Sequence, residues 1–380
     1  MHLIPPLTPA QQAFFESDVA TPCVGVEIDV VRSRYRELAA ALPGIELYYA
    51  VKANPLPEVV DALVAEGCRF DVASTGEVDL CLERGASASA LSYGNTIKSS
   101  EAIRHSVDVG IDTFAFDTIE ELEKLTKHAP GSLVMARLGS EGSGAAWPLS
   151  RKFGCTPERV TELLEAAGDA GHRLGVSFHV GSQQLVPESW DVPLAQVHDV
   201  ARALEASGRR VELVNIGGGF PSHYTDPLPA SDRYGHVILE AVDRHLGWLA
   251  PRLMAEPGRA LVAEAGVLVS EVVLVSQKES TDALRWVYLD VGVFTGLIET
   301  IGETIRYPMI TSRDGGPVGP CIVAGPTCDS LDVMAERTPV ELPLDLAEGD
   351  RVALVTAGAY TTSYSSIGFN GFPPLQVQIL

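Results

Sequence analysis

Apolar residues along the first two thirds of the chain fall in short β-rich runs, separated by stretches with helical spacing. Residues 24–29, in Val24-Gly-Val-Glu-Ile-Asp-Val, alternate apolar and polar positions at period two, the pattern of a half-buried strand. From Val30 onward, Val31, Tyr35, Leu38, Ala39 and Leu42 recur at helical spacing, and Pro43-Gly44 closes the helix. The same alternation then repeats. Runs at 48–53, 69–73, 90–94, 113–117, 132–138, 175–181, 211–216 and 252–256 read as strands. Stretches such as 76–84, 99–109, 118–128, 156–170 and 189–207 read as amphipathic helices. Eight strands alternating with helices predict a parallel sheet closed into a (β/α)8 TIM barrel. The competing open, doubly wound sheet would carry a Gly-rich dinucleotide fingerprint after its first strand, and none stands there.

Beyond residue 264 the helical periodicity fades. Val267–Val275, Leu284–Leu289, Cys321–Ala324 and Arg351–Thr356 read as strands, with Asp314-Gly-Gly-Pro and Glu348-Gly-Asp as turns between them. The predicted organisation is a barrel over 29–263 and an all-β domain made of 1–28 plus 264–380, which also takes the strand at 24–29. Residues 1–20 offer no clear element.

Composition narrows the class. A formal net charge of −22 over 380 residues argues against nucleic acid or an anionic membrane as partner. Six cysteines at 23, 68, 81, 155, 321 and 328 show no CxxC and no pairing with histidine. That is neither a disulfide framework nor a zinc site, so a reducing cytoplasm and no metal are expected. No apolar run approaches the ~18 residues of a membrane span, and Met-His-Leu-Ile-Pro-Pro lacks the basic start of a signal peptide.

The chemistry should lie at the C-terminal ends of the barrel strands. There stand Lys52, Asp71, Asp117, Arg137, His179, Gly217-Gly218-Gly219 and Glu256. Pro55 cannot continue a ladder, so the first strand should stop near Ala53 with Lys52 at its mouth. Two readings of Lys52 stay open from this stretch. Its stem snorkels to the rim of a core strand, or burial keeps its amine neutral and able to attack an aldehyde. Asp117, just before a helix, reads better as an N-cap. The Gly217–Gly219 run and Glu256-Pro257-Gly258-Arg259 follow the seventh and eighth strands, where such barrels hold phosphate. Glycines let backbone N–H groups converge on an anion, and Arg259 adds charge. A phosphate cradle, a lysine and a carboxylate on one rim point to pyridoxal 5'-phosphate. Lys52 would form the Schiff base and Glu256 would keep the pyridine nitrogen protonated. His179 either stacks on that ring or is a hydrogen-bonded core histidine. Cys328, in the loop Gly325–Asp332, is by itself a turn cysteine with no assigned role.

Taken in order, YAVKANP, FDVAS, HVGS, NIGGGFP, EPGR, GPTCDSLD, GAYT and FNGF resemble the ornithine/diaminopimelate/arginine decarboxylases, the fold-type III pyridoxal phosphate enzymes. The resemblance covers roughly residues 24–374. It implies a barrel with a β domain and a head-to-tail homodimer with shared active sites. It implies Lys52 as the Schiff-base lysine, Glu256 as the partner of the pyridine nitrogen and His179 as the stacking residue. Ser182, Gly219, Gly258, Arg259 and Tyr360 match phosphate-binding positions, with Gly217 and Gly218 in the same cofactor loop, and Asp71 and Arg137 match supporting polar ones. Cys328 matches the proton donor to the carbanion and Asp329 a substrate-amine ligand, both supplied across the dimer; Phe369 of FNGF joins them at the substrate.

Within the family, diaminopimelate decarboxylases carry Cys-Glu-Ser where this chain has Cys328-Asp329-Ser330. Asp329 therefore points to a simpler diamino acid such as ornithine, giving putrescine for polyamine biosynthesis. Eukaryotic members have Tyr-Asp where this chain reads Gly302-Glu303. Glu303 is expected to accept the distal ammonium, and the missing Tyr leaves lysine or a shorter diamino acid open. Alanine racemases share the barrel and lysine but set an arginine against the pyridine nitrogen, which Glu256 opposes. A non-catalytic, regulator-binding relative need not keep Lys52, Cys328 and Asp329 together, as this chain does.

Overall fold

The apolar runs of the first two thirds become eight parallel strands in a computed structural model that describes residues 6–148 and 152–380. They are Ile45–Ala50, Arg69–Val72, Leu91–Tyr93, Thr113–Phe116, Leu133–Arg137, Arg173–Ser177, Val211–Asn215 and Arg252–Ala255. Each pairs with the next, and Arg252–Ala255 returns to Ile45–Ala50 with Leu253 opposite Ile45, closing the barrel. Tyr48, Ala115, Leu133, Met135, Leu213 and Met254 pack into one buried cluster contributed by several of these strands. Room for it comes partly from Gly175, where a Cβ would stand 2.8 Å from Met135 Cγ.

One local device recurs where strand gives way to helix. Ser74, Ser99, Thr118 and Thr156 each accept the N–H three residues on, starting Thr75–Glu83, Ser100–Asp108, Ile119–His128 and Pro157–Asp169. Thr118 thus takes the cap expected of Asp117. Asp117 instead accepts the Gly154 N–H at 2.9 Å, because it stands one residue too early to reach the N3 amide.

Several strands stop earlier than their apolar patterns suggest. The first barrel strand is Ile45–Ala50, not 48–53; Val51–Ala53 curl into a 3-10 turn that buries Val51 and Ala53. The sixth runs Arg173–Ser177, not 175–181. Beyond it the Gly181 N–H bonds His179 Nδ1 at 3.0 Å, a local turn that competes with the ladder. The N-terminal strand is Cys23–Val26, and Ile28-Asp29-Val30 already belong to the helix Ile28–Ala41.

The chain divides into a unit of 32–221 and 228–258, which carries the barrel, and a second of 1–31, 222–227 and 259–380. The second unit is a mixed, mostly β sheet centred on the long strand Gly266–Ser276. This strand pairs antiparallel with Cys23–Val26, Arg351–Val355 and Arg285–Leu289. Cys23–Val26 also pairs in parallel with Gln376–Ile379. The helix Pro9–Glu16 has no clear apolar period but does have a capping box at Thr8 and Gln11, and it lays Phe14 and Phe15 on Cys23, Val267 and Val269. Val333–Pro343 also escapes the apolar pattern, because its middle residues are exposed where it pairs with Val318–Ala324.

Candidate active site

In the barrel unit, most of the residues singled out at the strand ends meet. Asp71 is the penultimate residue of the second strand, 5 % exposed, and its Oδ1 has no hydrogen-bond partner. Burial, then the charge of Glu256, pushes its carboxyl well above the usual carboxylate range, against opposing pulls from Lys52 and Arg137. Glu256, one residue past the eighth strand, accepts from Asn215 Nδ2 at 2.5 Å. Asn215 Oδ1 in turn takes the Gly217 N–H at 2.8 Å, so one amide side chain orients both the carboxylate and the first glycine of the Gly run. Gly94, after the third strand, makes the close approach possible: a Cβ there would stand 2.0 Å from Asp71 Oδ1 and 3.3 Å from Glu256 Oε1.

The glycines at 217–219 are packing requirements. A Cβ on Gly217 would lie 2.1 Å from the Phe178 carbonyl, on Gly218 2.5 Å from the Glu256 carbonyl, and on Gly219 2.4 Å from the Gly181 carbonyl. Gly217 and Gly219 also have positive φ, +71° and +99°. The Gly218 Cβ position is 3.1 Å from His179 Nε2, which fixes the imidazole beside this loop. His179 is held well below its ordinary pKa by burial, then by Arg137 and Lys52, so the ring is neutral. With Nδ1 accepting from Gly181, the proton sits on Nε2. Arg137 closes the fifth strand with its guanidinium 5.3 Å from the Phe153 ring centroid. Ser182 follows Gly181 on the short strand Ser182–Gln184, which pairs with Ala145–Trp147.

Of the two readings left open for Lys52, burial is not what the structure shows: the residue is exposed. Val51 and Ala53 turn inward in the 3-10 turn, and the residue between them turns out. The Ala50 N–H bonds the Pro257 carbonyl at 3.0 Å, tying this turn to the Glu256 loop. The charge of Lys52 is felt at Asp71, Glu77 and His179. Glu77 was not singled out from the sequence. It lies in a Ser74-x-x-Glu77 pattern that reads only as a helix start, yet its carboxylate takes the Ala73 N–H at 2.6 Å and burial raises its pKa.

Gly258 ends the barrel unit, and the remaining predicted residues belong to the β unit. Arg259, 3 % exposed, forms a bidentate ion pair with Glu299 at 2.6 and 2.8 Å and donates to Tyr224 Oη at 2.9 Å. Its guanidinium lies 4.9 Å from the Tyr360 ring centroid. The expectation of Arg259 as added positive charge is thus corrected: Glu299, with no signal in sequence, balances it. Glu303, expected to accept the distal ammonium, makes a different set of contacts within this unit. Its Oε1 receives the backbone N–H groups of Glu336, Arg337 and Thr338, so it clamps its own sheet. These donors lower its pKa despite some desolvation. Cys328 is exposed, with Sγ 3.6 Å from Asn370 Oδ1, and Asp329 accepts the Leu331 N–H at 2.9 Å. Asp332, 2 % exposed, anchors this loop by accepting from Val293 at 2.7 Å and from the Thr327 amide and hydroxyl at 3.0 and 2.6 Å. Phe369 packs on Phe294 with ring centroids 4.5 Å apart.

A closed parallel barrel with polar groups gathered at its C-terminal rim, in one chain with a mostly β sheet, is the architecture of a fold-type III pyridoxal phosphate enzyme. Residues 28–263 match the family described as pyridoxal-dependent decarboxylase, pyridoxal binding domain. The chain is 31 % identical to the lysine/ornithine decarboxylase of Selenomonas ruminantium, covering 93 % of this chain and 88 % of that protein. It is 32 % identical to the ornithine decarboxylase of Schizosaccharomyces pombe, covering 91 % and 81 %. Crystal structures of the Vibrio vulnificus lysine/ornithine decarboxylase with cadaverine and with putrescine match at 34 % identity, TM-scores 0.88 and 0.87, covering 98 % of this chain and 99 % of theirs. The chain belongs to the pyridoxal-dependent decarboxylase family. Its cofactor is pyridoxal phosphate, and its reaction class is the carbon–carbon lyase chemistry of amino-acid decarboxylation.

Proposed function

We propose that this enzyme decarboxylates a basic diamino acid, with L-ornithine to putrescine and CO2 as its main reaction. The observation that carries the site assignment is the Asp71–Glu256 pair, with an orphaned buried Asp71 oxygen and a glycine-lined loop where side chains would collide. Residues of this kind fit a planar, protonated pyridine ring carrying a phosphate. When bound, the cofactor supplies an electron sink for the electron pair left as CO2 departs. Lys52, exposed on the rim, is the amine that would hold the cofactor and serve in freeing the product. Glu256, oriented by Asn215, would hold the proton on the pyridine nitrogen. Neutral His179 would face the ring, with Asp71 and Arg137 supporting this polar layer. Gly217, Gly218, Gly219, Ser182 and Gly258 would offer phosphate contacts in the barrel unit; the family motifs assign Arg259, charge-balanced by Glu299, and Tyr360 the same ligand.

The active site is completed by a second copy of the chain, which supplies Cys328 of the partner subunit as proton donor to Cα and Asp329 of the partner subunit as ligand for the distal ammonium. Leu331 at 65 %, Ile367 at 88 % and Phe369 at 36 % exposure support a buried interface around this loop. Phe369 would line the substrate there, whereas Glu303 is occupied by its backbone clamp. Six free thiols fit a cytoplasmic enzyme, and no helix among the described residues is long and apolar enough to cross a membrane. A second reading, lysine to cadaverine, is favoured by relatives named for both substrates.

The test is CO2 release from L-ornithine, L-lysine, L-arginine, 2,4-diaminobutyrate and diaminopimelate. Ornithine is expected to show the highest kcat/KM; a clear win by diaminopimelate overturns the role given to Asp329. Lys52→Ala should abolish both activity and the visible absorbance of covalently bound pyridoxal phosphate. Cys328→Ala should slow turnover or divert protonation to another carbon, and unchanged rate and product would remove Cys328 from the mechanism.

A further inference from the structure

Within the β unit lies a cavity of about 370 Å3, walled by Tyr224, Tyr307, Met309, Met334, Val340 and Leu354. Its volume is in the range of small-molecule sites, and its lining is mainly carbon. One polar group stands out. Tyr307 is only 5 % exposed, and its hydroxyl meets no hydrogen-bond partner. A buried hydroxyl left unpaired is costly and uncommon in a folded protein.

The surrounding groups are already engaged. Tyr224, edge-on to Tyr307 at 5.5 Å between centroids, receives its hydrogen bond from Arg259. Arg259 is held by Glu299, and the Thr300 hydroxyl donates to the Leu297 carbonyl at 2.6 Å. Of the charged groups at the cavity, one is paired and the other lies at its solvent-exposed edge. Arg306 is paired with Asp226 at 2.6 Å, and Glu341 is solvent-exposed. What the cavity offers is a mainly apolar volume in which the Tyr307 O–H is a deeply buried donor without a partner, with the hydroxyls of Thr225 and Thr338 also on its wall.

We propose that this cavity binds a small, uncharged, flat molecule that presents a carbonyl oxygen to the Tyr307 hydroxyl. Its apolar body would rest on Met309, Met334 and Leu354, whose thioethers and branched methyls adapt to a ring. A diamino acid does not fit this description, because its ammonium would enter a carbon-lined space. The cavity ligand and the substrate are therefore separate chemical classes.

The probes are acetanilide, an aromatic ring with one carbonyl, and toluene, a ring without one, each titrated into the holoenzyme by saturation-transfer NMR. Both should bind, and saturating ornithine should displace neither. Tyr307→Phe should weaken acetanilide roughly three- to tenfold, the worth of one hydrogen bond, and leave toluene unchanged. Met334→Trp, which fills the cavity, should abolish both. A crystal structure of the wild-type holoenzyme with acetanilide keeps the question open to refutation if that variant does not fold. Displacement by ornithine, equal affinity in Tyr307→Phe, failure of both probes to bind, or density for acetanilide elsewhere would each overturn the proposal.

Discussion

Two regions of this protein bury ionisable groups by opposite rules. In the β unit, Arg259 and Glu299 satisfy each other: two short N–H···O bonds, a third to Tyr224, and aromatic rings on the flank. At the barrel rim, Asp71 lies beside Glu256, a like charge, and keeps one oxygen without a protein partner. The ion pair is settled by the polypeptide itself. The acid pair is left unsettled, held close by a glycine and an oriented amide. Frustration of this kind marks a place where a ligand is meant to finish the bonding. A satisfied pair, however deeply buried, does not.

The contrast can be broken by measurement. The largest effect should come from Glu299→Ala, which strands the Arg259 charge in the interior; unfolding in urea should show a loss of ~3–5 kcal/mol. A loss below ~1 kcal/mol would mean that Glu299 is not what keeps Arg259 buried. Next, Gly94→Ala forces a methyl toward Asp71 Oδ1 and should cost about a hundredfold in kcat/KM. Its stability should fall by no more than ~1–3 kcal/mol. Near-normal activity would show that the acid pair tolerates displacement.

Glu303→Ala is a smaller test, because it removes one acceptor serving three backbone donors. A loss of ~1–2 kcal/mol is expected. Since the folded pKa of Glu303 is lowered, its contribution should be present above the ordinary carboxylate value and fade as pH falls through the folded one. Decarboxylation should persist in this variant; selective loss of turnover without loss of stability would restore the substrate role. The subtlest test concerns Asp71, whose folded pKa lies above its unfolded value. The native state then holds a proton that the unfolded chain releases, so stability is full below the unfolded pKa and declines as pH rises toward the folded one. Asp71→Asn removes that decline. In cofactor-stripped protein, the stability of the variant relative to wild type should grow with pH from ~4 upward, and a flat difference would contradict the raised pKa.

Hydrophobic periodicity was enough to anticipate the barrel, because eight short apolar runs separated by helices have few ways to bury their surface. It was not enough for strand ends. Val51–Ala53 and the residues after Ser177 are as apolar as the strands before them, and only local turns decide where pairing stops. Lys52 illustrates the limit: its position in the chain left a buried and a snorkelling amine both open, and only the 3-10 turn, which buries Val51 and Ala53, leaves it exposed.

The motif residues at the rim were legible because their types carry the chemistry wherever the backbone places them: a lysine, an acid, a histidine, a glycine run. Their partners were not. Asn215, Gly94 and Glu77 carry no chemistry of their own in a linear reading, Glu299 lies in a segment that looks like ordinary loop, and Asp332, though inside GPTCDSLD, shows no anchoring role there. The sequence by itself determined the alternation of strand and helix and the family's order of motifs, since both depend on neighbours along the chain. Which buried charges are paired and which are left exposed to a ligand was decided only in the tertiary structure. Coulomb energy and desolvation depend on distances between residues far apart in sequence, such as the 40 positions between Arg259 and Glu299.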